Sequence, residues 1–230
     1  NRVISYEGIA NSIDDNLKIK ADNFDYNKID SILIASKNAI ATLTGKNIVI
    51  NADKFIYNKK ESKLSAIGNV KVYDSANNVS FISDKVLYHI DINKIISESP
   101  SRIKDELGNL FISQKFIYTL NDYLIKFDDL KFRDAEQNVT EINKAYVNTK
   151  SKKIIGKDIL VNFNNKTFNE DNEPRLKGNS ITSNGNESFV TKGVFTTCKK
   201  NDDCPPWQLS AKQIKHDKNK KTIFYKDAWL

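Results

Sequence analysis

The sequence predicts an all-β protein built from stacked, bent antiparallel strands, and three observations carry that prediction. Apolar residues alternate with polar ones, the alternation changes parity at a fixed place, and the whole pattern returns about every thirty residues. The stretch from Asn47 to Tyr73, NIVINADKFIYNKKESKLSAIGNVKVY, displays all three. Ile48, Ile50 and Ala52 alternate with polar neighbours, the period-two signature of a strand with one buried face. The next apolar pair, Phe55 and Tyr57, is out of step, so keeping one face inward requires a bulge or corner at Asp53-Lys54. A polar turn over Asn58 to Lys63 leads into Leu64, Ala66, Val70 and Val72, interrupted at Gly68-Asn69, a pair suited to the backbone angles of a corner. Each tile is a bent strand, a turn and a returning strand.

The phrase recurs as IKADNFDY at 19–26, INADKFIY at 50–57, FISDKVLY at 81–88, FISQKFIY at 111–118 and, more weakly, TEINKAYV at 140–147, at spacings of 31, 31, 30 and 29 residues. Fainter copies at 189–196 and 208–217 bring the array to about seven tiles. Such a period means stacked units that cannot bury their apolar faces alone. In chain order, Val3 to Ala10 reads as a short strand with Gly8 at the corner, and Asn11 to Asn16 as a turn. Ser36-Lys37-Asn38 stands where the second tile has Ile67-Gly68-Asn69. Loops at 73–78, 105–109 and 134–138 fall along one edge. The polar stretch Asn162 to Asn186 reads as an insertion between tiles, with a domain boundary as the competing reading. The unbroken repeat favours a single domain over 1–230.

Thirty-six Lys and Arg against 29 Asp and Glu give a net charge of +7, spread over turns and outer strand faces with no basic arm. That is a solvated surface or, in part, an attraction for polyanions. No apolar run is long enough for a spanning helix, and the chain, starting Asn-Arg-Val and ending within an alternating strand, reads as a piece of a longer precursor. His89 and His216 lie in different tiles without ligand spacing, so no metal site is expected. The acid pairs Asp14-Asp15, Asp128-Asp129 and Asp202-Asp203 are expected in turns, and no phosphate loop or nucleophile elbow is present. The chain is not expected to be an enzyme or to need a cofactor.

The aromatic and aliphatic residues on the inward parity are more informative. Ile50, Phe55, Tyr57, Val70, Val72, Phe81, Tyr88, Phe111, Phe116, Tyr118, Phe127 and Phe132 either fill a core or line a continuous apolar trough between splayed sheets, of a length that suits an acyl chain.

The repeated A-D-x-Φ-x-Y phrase, the Ile67-Gly68-Asn69-Val70 corner, and the closing Val194-Phe-Thr-Thr-Cys198, Pro206-Trp207-Gln208-Leu209, Ile214-Lys-His-Asp217 and Tyr225-Lys-Asp-Ala-Trp-Leu230 carry a resemblance. Together they resemble the periplasmic N-terminal domain of the LPS-assembly outer-membrane protein family, LptD, also called the organic solvent tolerance (OstA) family. The resemblance covers essentially the whole chain, and the cysteine-to-tryptophan ending separates it from the soluble bridge proteins that share the repeat. It implies an OstA-like β-jellyroll, open along one side, with the C-terminal outer-membrane β-barrel outside this sequence. Its implied task is to receive lipopolysaccharide from the periplasmic bridge and pass it to the barrel, acyl chains in the apolar groove and head group in water. The alternative class is a structural β-repeat module for protein-protein contact or adhesion, without lipid transport. Implied partners are lipopolysaccharide, a soluble bridge protein at the N-terminal edge (Val3, Ile4, Tyr6), the chain's own barrel and its plug lipoprotein, with no nucleic acid. Cys198 matches the family's N-terminal-domain cysteine, which in relatives joins the barrel by a disulfide in the oxidising periplasm. Cys204 departs from the commonest pattern, and a local Cys198–Cys204 pair or two barrel partners are both open.

Overall fold

Period-two alternation becomes strand throughout. The computed structural model describes residues 2–164, 172–199, 207–217, 219–220 and 222–230. Among the described residues seventeen strands hold more than half of the chain: β1 (Arg2–Ser12), β2 (Leu17–Asn27), β3 (Ile32–Leu43), β4 (Ile48–Asn58), β5 (Lys63–Asp74), β6 (Val79–His89), β7 (Lys94–Ser97), β8 (Ser101–Lys104), β9 (Leu110–Ser113), β10 (Lys115–Thr119), β11 (Leu124–Arg133), β12 (Val139–Asn148), β13 (Ile154–Asn162), β14 (Arg175–Ser183), β15 (Glu187–Thr196), β16 (Leu209–Asp217) and β17 (Thr222–Trp229). Among the described residues there is no helix, and every described pairing register is antiparallel.

The strands group into two compact units, Asn1–Glu106 with Ile112–Leu124, and Leu107–Phe111 with Ile125–Leu230. In the first, β1 to β6 pair in chain order, β6 also meets β7 and β8, and β7 pairs with β10. In the second, β12 to β17 pair in chain order.

The parity break is a real bulge. Between β3 and β4 the register jumps from Ser36↔Lys54 to Ala39↔Ala52, and between β5 and β6 from Ile67↔Lys85 to Val70↔Ser83. Lys37, Asn38, Gly68 and Asn69 take left-handed backbone angles there, so the extra residues are absorbed and both halves of the strand keep their apolar side inward. An aspartate of the repeated phrase braces each corner: Asn38 Nδ2 donates to Asp22 at 2.7 Å and Asn69 Nδ2 to Asp53 at 2.9 Å. In the first strand the left-handed residue is Glu7, not Gly8. Glycine is thus not what marks a corner; position in the repeat is. Asp129, expected in a turn, is likewise a left-handed residue inside β11, while Asp202-Asp203 lies outside the described residues.

In the first unit two further left-handed columns mark the turns, Asn16, Asn47 and Asn78 at one end and Ser31, Ser62, Asn93 and Tyr123 at the other, and in the second unit Gly108, Gln137 and Lys152 are left-handed in connections between strands. In the first unit these residues also tie one layer to the next. The carbonyls of Asn16, Ser31, Asn47, Ser62 and Asn93 accept the amides of Thr44, Lys59, Ser75, Ile90 and Leu120 at 2.8–3.1 Å. The turns therefore continue the hydrogen-bond ladder past the strand ends, which leaves few unpaired backbone groups between layers.

Gly68 combines a φ of +77° with an ideal Cβ position only 2.4 Å from Asp53 Oδ2. Gly68→Ala is expected to cost about 1–3 kcal/mol in urea denaturation, from left-handed strain and displacement of the bracing carboxylate. An unchanged midpoint would show that the corner relaxes freely.

One expectation is corrected. The stretch 162–186 is not simply an insertion, because it contains β14, paired on both sides with β13 and β15. Its alternation is diluted by Gly178-Asn179-Ser180, so only Leu176, Ile181 and Ser183 show the buried parity. Gly178 is small for a packing reason: a Cβ there meets Val190 Cγ1 at 2.3 Å and Ile159 at 3.2 Å.

Candidate functional site

The inward residues expected from sequence divide into two environments. In the first unit Ile50, Phe55, Tyr57, Val70, Val72, Phe81, Tyr88, Phe116 and Tyr118 are all buried, and Phe55, Val70 and Tyr118 are fully so. The Phe116 ring meets Phe81 edge-on at 5.1 Å. This interior is filled. The tyrosines that close the second, third and fourth phrases, Tyr57, Tyr88 and Tyr118, have their rings in this core and their hydroxyls at turns, whereas Tyr26 of the first phrase is half-buried. Tyr57 donates to Asp15, with Ser12 Oγ 2.8 Å from its hydroxyl, Tyr88 donates to Asn93 Oδ1 at 3.2 Å, and Tyr118 to the buried Asp74 at 2.6 Å.

Burial raises the Tyr57 hydroxyl to about 12, helped by its bond to the Asp15 carboxylate, and burial raises Tyr88 to about 12 as well. The folded pKa values lie above the ordinary value of 10.0, so folding favours the neutral phenols. The stability they contribute is complete below pH 10 and is lost as pH rises towards about 12. Phenolate absorbance should show at least two late-titrating tyrosines and a falling melting temperature across that window; ordinary titration of all nine tyrosines would contradict it.

Space is found elsewhere in the first unit, at its N-terminal end. A cavity of about 450 Å³ lies among Val3, Ile9, Leu17, Ile19, Phe24 and Leu33, with Tyr57 and Lys59 at its margin. β1 forms one wall and is exposed almost throughout, Ile4 to 60% and Tyr6 to 79%.

The second unit holds a larger opening of about 600 Å³. Its walls are three cross-strand rows: Thr140, Val161, Leu176 and Phe195; then Ile181, Val190 and Ile214; then Ile154, Ser183, Ser188, His216 and Ile223. Several apolar side chains of these rows are less deeply buried than the centre of the first unit's core. Ile154, Leu176 and Ile181 are 8% exposed and Val161 9%, against 0–2% for Phe55, Val70 and Val72. The sheet face is mainly apolar, with Thr140, Ser183, Ser188 and His216 in its outer rows, and lines a trough. Phe132, half-buried, stands at its margin with Asp134, Glu136 and Asn138. Phe111 and Phe127, both buried, back it: Phe111 lies 4.9 Å from Phe132 and stacks on Phe127 at 6.0 Å.

The strand geometry that creates the trough depends on small residues. An ideal Cβ on Gly156 meets Ile142 Cγ2 at 2.4 Å, and one on Gly193 meets Ile214 Cδ1 at 2.4 Å. At one end Phe195 gathers Phe163 at 6.2 Å and Trp207 at 6.0 Å. Arg175 links this end to the chain after β15, donating to the carbonyls of Glu173 at 3.2 Å and of Cys198. The Cys198 thiol is directed to the Trp207 carbonyl at 3.7 Å, whereas Cys204 lies outside the described residues.

Of the twelve inward residues expected from sequence, Tyr57 and Phe132 therefore reach open cavities, and the others named above are packed. Sequence reasoning missed Leu176, Ile181, Val190, Phe195 and Ile214. The signal was present as alternation on either side of Gly178 and Gly193, but the phrase that organises the first five tiles is only faint at 189–196 and 208–217 and is not evident around Leu176 and Ile181. Among the described residues no cluster of His, Cys, Asp or Glu is arranged to hold a metal ion. No described helix is long and apolar enough to cross a membrane, which says nothing of a β-barrel.

No family model and no curated protein matches the chain. Among solved structures it is similar to LptH from Pseudomonas aeruginosa, the LptA-homologous periplasmic component of a lipopolysaccharide transport device. The identity is 11% and the TM-score 0.44, over 49% of this chain and 81% of that one.

Proposed function

We propose that the chain is a periplasmic domain that binds the acyl chains of lipopolysaccharide in the trough of the second unit and passes the lipid on towards an outer-membrane barrel. The observation that carries this reading is the trough itself: about 600 Å³, walled mainly by Leu176, Ile181, Val190, Phe195 and Ile214, with Thr140, Ser183, Ser188 and His216 in the outer wall rows. That volume is within the range of small-molecule sites, and its apolar wall supplies burial without directional polar contacts. At roughly 0.8 kcal/mol per CH₂, a few methylenes suffice for firm binding while the sugar and phosphate head stays in water. The sequence resemblance to the LPS-assembly family supports the same reading and supplies its direction, from a soluble bridge protein through this domain to the barrel and its plug lipoprotein.

The N-terminal edge fits the receiving end. β1 pairs along its length with β2 and is exposed on both faces, so a strand from a second jellyroll is proposed to add beside Val3, Ile4 and Tyr6. A disulfide from Cys198 to the barrel belongs to the same proposal, with Cys204 as its alternative local partner.

The filled interior of the first unit favours a second reading for that part, a structural repeat module whose task is contact rather than transport. Site-specific photocrosslinking separates the two. Crosslinkers at Leu176 and Ile181 are expected to capture lipopolysaccharide, and at Ile4 and Tyr6 the bridge protein. Capture of lipid at the outward Lys177 as readily as at Leu176, or at neither, would overturn the transport reading. Capture of the bridge protein only near Tyr225 reverses the proposed polarity.

A further inference from the structure

The outer face of the second unit carries a pattern that acyl binding in the trough does not use. Through the pairing registers, Tyr146 lies opposite Ile155, Ile155 opposite Thr182, Thr182 opposite Phe189, Phe189 opposite Lys215 and Lys215 opposite Phe224. These form one row across six strands, about 24 Å long at the usual strand spacing. Tyr146, Ile155, Phe189 and Phe224 are each more than 40% exposed. Lys215 does not interrupt the row: its Nζ is 5.3 Å from the centre of the Phe189 ring and is paired with Glu187 at 2.5 Å, so its stem lies along the apolar line.

The neighbouring outward row, again in register, is Lys144, Lys157, Ser180, Thr191, Gln213 and Lys226. It contains three exposed lysines and no carboxylate, and none of the three forms an ion pair with a described residue. The repeat does not impose this arrangement. In the first unit a comparable outward row, Asp25, Ile34, Ile56, Ser65, Leu87 and Ile96, has no aromatic residue, and its aliphatic side chains are only half-exposed. Beside it Asn23, Ser36, Lys54, Ile67 and Lys85 set an isoleucine between two lysines, and the next outward row past the bulge, Lys20, Ile40, Asn51, Lys71, Ile82 and Arg102, mixes cations with aliphatics.

We propose that this outer face of the second unit docks on an anionic lipid surface. An apolar line with aromatic rings beside a parallel line of unpaired cations matches a plane whose skin is negative and whose interior is apolar. Aromatic side chains settle at headgroup depth, and lysines meet the anionic headgroups. The proposal does not depend on what the trough binds.

The test is co-sedimentation of the 230-residue chain with vesicles of phosphatidylglycerol and phosphatidylethanolamine, against vesicles of phosphatidylcholine alone. Binding to the anionic vesicles is expected, weakened by high salt. The triple variant K144Q/K157Q/K226Q and the double variant F189Q/F224Q should each lose roughly tenfold or more in affinity. The trough variant F195D should sediment like the parent, which separates surface docking from acyl capture. All replaced side chains on the outer face are exposed, so melting curves should match the parent, and the lysine variant alone decides the matter if the aromatic one fails to fold. Equal binding to both vesicle types, or full binding by the lysine variant, overturns the proposal. So does a concentration-dependent dimer that F189Q/F224Q dissolves, which assigns the row to a second copy of this chain.

Discussion

Phe116→Asp is expected to abolish the cooperative folding of the first unit. The Phe116 side chain is 1% exposed and its ring packs edge-on against Phe81 at 5.1 Å, so nothing at this position lets a charge reach water. Deleting a buried phenyl ring costs about 3–5 kcal/mol through lost transfer energy and the cavity left behind. Burying a carboxylate in its place adds several kcal/mol, whether the group stays charged or takes up a proton at a raised pKa. Together these approach the whole stability of a typical domain, about 5–15 kcal/mol. Phe116→Leu keeps the site apolar and should cost only roughly 1–2 kcal/mol. Far-UV circular dichroism with a thermal melt reads both. A Phe116→Asp melt within a few degrees of the parent would mean that the ring has an escape route to solvent, and the interior of the first unit is then not filled.

The contrast between Phe116 and Phe132 shows where sequence reasoning reached its limit. Strand parity told which side of the chain faces inward, and it did so through the bulge at Asp53-Lys54, because the out-of-step pair Phe55 and Tyr57 admits no other solution. The corners at Lys37-Asn38 and Gly68-Asn69 were legible for the same reason. Glu7, Tyr123 and Lys152 in left-handed positions were not, since nothing in these residue types announces that conformation. Parity is also silent on whether two inward faces meet. Phe116 meets Phe81 across the interior, whereas the apolar face made by Leu176, Ile181 and Val190 lines open space. In the second unit the inward positions Gly156, Gly178 and Gly193 are covered by side chains of the neighbouring paired strands, and these glycines carry no hydrophobic signal at all. β14 was hidden by the same economy of side chains.

Phe132→Asp and Phe195→Asp are expected to give the opposite outcome from Phe116→Asp: a folded chain that no longer retains lipopolysaccharide. Both side chains are half-buried and line the trough, so a carboxylate at either place turns to water, at a cost in stability of about 1–3 kcal/mol from lost packing with Phe111 or with Phe163 and Trp207. Lipid binding loses more. An acyl chain in the trough must then lie against a hydrated charge, and withdrawal of only two methylenes from apolar contact forfeits roughly 1.6 kcal/mol, more than tenfold in affinity. The effect should grow when both positions are changed, because they stand on different strands of one trough. Lipopolysaccharide retention in a pull-down, read beside a thermal melt, discriminates three cases. Lost retention with a near-parental melt supports acyl binding in the trough. A collapse of the melt like that of Phe116→Asp shows that the second unit is also filled, which leaves the structural-module reading. A parental melt with parental retention removes the trough from the lipid path altogether.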